Sequence, residues 1–150
     1  MHLKIPPIVI LLIAGILMYV LAYFLPVGFF DFTGRFYLMY ILFGLSSIIA
    51  VTSILKFLKN KTTINPVKLE GVSSLVITGI YSFTRNPMYL AMLLLLLVWA
   101  LYLGNAFNAV LAALFVSYMN KFQIIPEEKA LLELFGKEYK NYKISVRRWF

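Results

Sequence analysis

Four polar or constrained residues gather where an apolar run begins. In the stretch YSFTRNPMYLAMLLLLL, Tyr81 to Leu97, Arg85, Asn86, Pro87 and Tyr89 precede or open a leucine-rich segment. A chain entering a membrane needs no such set, so these side chains are candidates for binding. Pro87 suits the first turn of a helix, where its missing N–H costs nothing. Asn86 then falls at or beside the N-cap, where its amide can satisfy free backbone donors. Just upstream, Leu75-Val76-Ile77 is short and β-branched and lies between Gly71 and Gly79. It reads as irregular or re-entrant backbone, which at a membrane face must be buried in protein or line a wet cavity. Gly79 lets a ligand or a second backbone come close, since it has no Cβ. A second polar group follows Pro126. Glu127 and Glu128 open a predicted helix there, favourably placed against its dipole. The chain contains no cysteine and a single histidine, His2. Thiolate nucleophiles, disulfides and thiolate or histidine metal sites are therefore excluded, and no metal centre is expected.

The elements that must position these residues are apolar. The chain has 150 residues, 62% of them hydrophobic, and a mean hydropathy of +0.87. That composition suits lipid better than water as the main solvent. Four segments approach the roughly 20 apolar residues that a bilayer crossing requires: residues 5–25, 36–57, 88–103 and 106–122, the third being short. The first is too long for a signal peptide and lacks a small-x-small cleavage site before Pro26, so it reads as a retained anchor. Gly104-Asn105 is a tight break that folds the last two segments into a helical hairpin. The expected fold is a single all-α domain: an integral membrane four-helix bundle with a C-terminal amphipathic helix.

Charge sets the orientation. In a four-helix arrangement, 13 of the 14 lysines and arginines fall on one side, and only Arg35 falls on the other. The positive-inside rule then places both termini, and the polar segments 68–89 and 123–150, in the cytoplasm. The net charge of +8 is thereby assigned to topology and to contact with anionic lipid headgroups, not to nucleic acid. The Asp31–Arg35 loop on the outer side reads as a solvated turn. In the tail, Leu131, Phe135, Tyr139 and Tyr142 recur at helical spacing while lysines fill much of the rest, as in a helix lying on headgroups. Gly136 within it allows close packing, and Trp149 and Phe150 read as interfacial anchors.

Together the two polar segments resemble the isoprenylcysteine carboxyl methyltransferase family and, more distantly, the phospholipid N-methyltransferases. The residues that carry the resemblance are Leu75-Val76, Gly79-x-Tyr81, Arg85-Asn86-Pro87-x-Tyr89, Glu127-Glu128, Phe135-Gly136, Glu138-Tyr139 and Tyr142. They span the second half of the chain, in family order, with a hairpin of two helices between the groups. The resemblance implies a cofactor, S-adenosylmethionine, held by Leu75, Val76, Gly79, Tyr81, Asn86, Pro87, Met88, Tyr89, Glu127 and Glu128. A carboxylate accepts strong hydrogen bonds from a ribose diol or an ammonium group, and aromatic faces attract a sulfonium. The resemblance also implies Arg85 as the residue nearest the chemistry, with Arg85 and Gln123 toward the acceptor. Asn86 stands where many relatives have histidine, and an amide does not titrate near neutrality. Carboxyl-methylating relatives place an arginine where this chain has Gln123, so an amine, thiol, hydroxyl or carboxylate acceptor stays open. The substrate expected from topology is amphiphilic, lipid-tailed and met at the interface. Two other readings remain: an NADPH-dependent reductase of the sterol or steroid type, which shares the Arg-Asn-Pro-x-Tyr element, and a non-catalytic adaptor.

Overall fold

Local sequence decides where the helices start and stop. The computed structural model describes residues 5–59 and 74–150. Residues 68–73, the front of the expected cofactor loop, lie outside them, as do Lys4, Lys61, Lys68 and Glu70. The first helix, α1 (Pro7–Phe24), has proline at its first turn, a position that needs no N–H. Its buried residues Ile10, Ala14 and Met18 recur every four positions, so a narrow stripe meets the protein. Leu12, Ile16 and Tyr23 point outward and stay exposed, as lipid permits and water would penalise. The second helix, α2 (Arg35–Lys59), packs along the third, α3 (Pro87–Leu103). Their contact uses small residues: Ser46 Oγ donates to the Ala91 carbonyl at 2.9 Å. With lipid as apolar as leucine, such close approach and hydrogen bonding hold helices together. Helix α1 lies against α3 and against α4 (Asn108–Tyr118), which in turn contacts α3.

Gly104 ends α3 in the left-handed region at φ 64°, and its N–H caps the Ala100 carbonyl at 3.0 Å. The hairpin expected there forms. A single antiparallel bridge pairs Phe29 with Asn105, and Asn105 Nδ2 donates to the Leu25 carbonyl at 2.7 Å. Arg35 departs from the solvated turn read in the sequence. It is 9% exposed, donates to the Phe30 carbonyl at 3.0 Å and faces Asp31 at 3.4 Å. The buried guanidinium ties this end together by supplying the Phe30 carbonyl with a donor.

Pro126 stands in the first turn of α5, as expected, but no break precedes it. Helix α4 runs without a break through a π-helical segment, Met119–Ile124, into α5 (Ile125–Ser145). The Ile125 N–H reaches back five residues to Asn120, the wider spacing of a π turn. Proline lacks an N–H and its ring crowds the carbonyl four residues before. The widened turn immediately before Pro126 gives it room without interrupting the helix. Among the described residues, three helices are long and apolar enough to cross a membrane, namely α1, Arg35–Lys56 of α2 and this Asn108–Ser145 element, while α3 is shorter. All described regular elements are helical.

Gly136 does not serve close packing. Its backbone sits at φ 50°, ψ −118°, a kink inside α5, and a Cβ there would meet nothing within 4 Å. The constraint is therefore conformational, not steric crowding. Gly136→Ala is expected to lower stability by about 1–3 kcal/mol, the cost of forcing an L residue into such a region. An unchanged thermal midpoint would mean the kink is not maintained.

Candidate functional site

The start of α3 and the first turn of α5 stand side by side at the basic end of the bundle. Pro87 occupies the first position of α3, so Tyr89 lies in its first turn. Glu127 lies in the first turn of α5. Across this gap Tyr89 Oη donates to Glu127 Oε1 at 2.8 Å. Tyr89 is buried and Glu127 half-buried, so the pair sits at the edge of the packed interior. Tyr89 also belongs to the buried core cluster, together with Met18, Phe115, Met119 and Ile124.

Before α3 the chain is irregular from Leu75 to Ile77, with Val76 buried and Leu75 half-buried, and then turns through a short 3₁₀ segment, Gly79–Ser82. Tyr81 points inward from that turn. Burial pushes its phenol up, and the neighbouring Ser53 hydroxyl of α2 offsets part of the shift. The Tyr142 hydroxyl donates to the Tyr81 carbonyl at 2.6 Å, tying α5 to the turn. Gly79 has a close neighbour, and it is Lys56. A Cβ at Gly79 would lie 2.7 Å from Lys56 Cε, and Lys56 Nζ donates to Thr78 Oγ1 at 2.9 Å.

Asn86 occupies the N-cap position of α3, but its side chain makes no cap bond, which corrects the capping role read in the sequence. The amide donates instead to the Arg148 carbonyl at 2.9 Å, because the C-terminal residues cross directly over this turn. Arg85 donates its backbone N–H to the Arg147 carbonyl at 3.0 Å. Its guanidinium lies 3.2 Å from Glu128. Arg148 grips the same carboxylate with two bonds of 2.9 Å, and Lys143 approaches to 3.5 Å. Burial alone would raise the Glu128 carboxyl, but the Arg148 hydrogen bonds and the charges of Arg85, Arg148 and Lys143 hold it below the usual range. Adjacent glutamates therefore have different roles: Glu127 faces Tyr89, and Glu128 neutralises a cation cluster. Met88 sits half-buried in the first turn of α3.

Gln123 is placed apart from Arg85. It is 1% exposed within the π segment, and its Nε2 donates to the Ile5 carbonyl at 2.6 Å. Trp149 is half-buried. Its indole donates to Asn120 Oδ1 at 3.0 Å and its ring packs on the core, since the tail turns back over the helices. Phe150 remains exposed.

Sequence reading missed Ser53 and Lys56. Polar side chains on one face of an apolar helix are themselves a signal, and Ser46, Ser53 and Lys56 form such a face on α2. It also missed Arg148, which no spacing rule ties to Glu128.

A family model described as phospholipid methyltransferase matches residues 34–138, more than half of the chain. A curated protein of Haemophilus influenzae, titled only "Uncharacterized protein", is 48% identical over 62 residues, covering 41% of this chain and 98% of its own length. No solved structure matches significantly.

Proposed function

This chain belongs to the phospholipid methyltransferase family, and on that premise we propose that it is an S-adenosylmethionine-dependent methyltransferase acting at the membrane interface on an amphiphilic, lipid-tailed acceptor. The observation that carries the reading is the Tyr89–Glu127 pair. It brings a carboxylate and an aromatic ring, distant in sequence, to one edge of the interior beside the Tyr81 turn.

The chemistry of these side chains fits the cofactor. A ribose diol and an ammonium group are donors, and the Glu127 carboxylate accepts from donors of that kind. The rings of Tyr81 and Tyr89 offer faces for a sulfonium or an adenine. Leu75, Val76 and Met88 supply apolar surface, while Gly79, Asn86 and Pro87 shape the backbone. S-adenosylmethionine brings a methyl group already activated on sulfur. What remains for the chain is to hold both reactants in line and keep water out. Arg85 and its neighbours around Glu128 total three cations to one carboxylate, a surplus that favours an anionic headgroup nearby. Gln123 Oε1 is buried and has no hydrogen-bond partner among the described residues. It suits an acceptor that donates a hydrogen bond, such as an amine or hydroxyl, better than a carboxylate. An apolar groove of about 430 Å³ between α1 and α3, with Leu11, Gly15, Leu95 and Trp99 in its walls, offers a hydrocarbon tail a place beside the bundle. The charge asymmetry of the sequence puts the site and both termini in the cytoplasm.

Calorimetric titration of the detergent-solubilised protein with S-adenosylhomocysteine and, separately, with NADPH tests the reading. Binding of S-adenosylhomocysteine alone is expected. Binding of NADPH alone would make the protein a reductase, and binding of neither would leave a membrane adaptor.

A further inference from the structure

The last residues of the chain form a strap. After Ser145 the backbone leaves the helix, with Val146 extended at φ −124°, ψ 134°. It then crosses the turn that opens α3. The Arg147 carbonyl accepts the Arg85 N–H at 3.0 Å. The Arg148 carbonyl accepts from Asn86 Nδ2 at 2.9 Å and from Thr84 Oγ1 at 3.3 Å. The Trp149 indole reaches Asn120 on the π segment. One side chain links this strap to α5: the Arg148 fork on Glu128.

From this we infer that Arg148 is a positioning residue, its main chain fixing the start of α3 and its guanidinium fixing the first turn of α5, so that Tyr89 and Glu127 are held at bonding distance. The inference rests on the reading that this pair binds the cofactor. The α3 turn and the first turn of α5 meet at the pair, and the Tyr89–Glu127 hydrogen bond stays at 2.8 Å only while their relative position is kept. Arg148 is bonded to both turns. Its planar fork satisfies both carboxylate oxygens at once, which a lysine ammonium does not reproduce. Arg85 also joins the α3 turn to Glu128, at 3.2 Å from one carboxylate oxygen, but only the Arg148 fork engages both oxygens and ties in the strap. Removing the fork leaves Glu128 still paired with Arg85 and Lys143, so the carboxylate is not stranded and the fold survives.

The test combines hydrogen–deuterium exchange with S-adenosylhomocysteine titration of the full chain in detergent, for the parent, Arg148→Ala and Arg148→Lys. Exchange at residues 84–90 is expected to rise in Arg148→Ala while the middle of α1 and α2 stays protected. Affinity for S-adenosylhomocysteine is expected to fall about tenfold or more, the weight of a charged hydrogen-bond pair, with Arg148→Lys between. Faster exchange with unchanged affinity would overturn the inference, reducing the strap to a structural staple. Unchanged exchange at 84–90 would overturn it as well, whatever the affinity. Should Arg148→Ala fail to fold, the same two readouts on Arg148→Lys decide. A parent protein that does not bind S-adenosylhomocysteine would instead overturn the methyltransferase reading on which the inference stands.

Discussion

Glu127→Ala is expected to weaken S-adenosylhomocysteine binding on the order of 100-fold while the protein remains folded. The carboxylate is half-buried and accepts the Tyr89 hydroxyl at 2.8 Å. A bond to an ionised group contributes about 1.5–3 kcal/mol, and a loss of about 100-fold, roughly 2.8 kcal/mol, is the upper part of that range for an acceptor that would hold the ribose or the ammonium group. Two substitutions at Tyr89 separate the parts of its side chain. Tyr89→Phe keeps the ring and removes the bond that orients Glu127, and a fall of about tenfold is expected. Tyr89→Ala also removes the ring from the core cluster and should abolish binding. Titration calorimetry on all three, with a thermal melt as control, reads the result. Unchanged affinity in Glu127→Ala and Tyr89→Ala together would remove this site from the protein.

Glu128→Ala is expected to be the more damaging change for stability and to act on the fold first. Its side chain is 8% exposed and meets Arg85, Lys143 and Arg148. Deleting the carboxylate leaves the buried Arg85 guanidinium without its counter-charge and facing the partly exposed Arg148 and Lys143. Breaking a buried pair in this way costs about 3–5 kcal/mol. Acid should reproduce part of the effect. The Glu128 carboxyl is held below its ordinary value in the folded state, so its contribution is fully present above the unfolded-state value of about 4.3. It is lost as pH falls through the lower folded-state value. The thermal midpoint should therefore be flat near neutrality and decline below about pH 4. In Glu128→Gln that acid decline should be shallower. An equal decline in both proteins would show that other carboxylates govern it.

These two glutamates mark the boundary between what was legible and what was not. Both read as a first-turn pair, and both are in the first turn of α5. Successive residues on a helix point about 100° apart, so one neighbour turns toward α3 and the other toward the tail. Only the placement of those elements assigns the roles. Asn86 shows the same division. Its position before Pro87 was readable, whereas its partner lies 62 residues away in the Arg148 carbonyl. Trp149 read as an anchor because exposed aromatics near basic residues usually are. The returning tail also packs its ring against the core.

What the sequence by itself determined is local. Apolar runs of sufficient length became helices, and Gly104 ended one of them. Each of these follows from composition or conformation over a few neighbouring residues. Order and spacing of short motifs also pointed to a membrane methyltransferase family, which the match over residues 34–138 supports. Tertiary structure alone decided that Pro126 lies within a continuous helix, that Arg35 is buried, and that Ser53, Lys56 and Arg148 border the site. Those outcomes depend on contacts between segments far apart in the chain. No local pattern records such a contact, because the direction of each side chain becomes meaningful only once its opposing surface is in place.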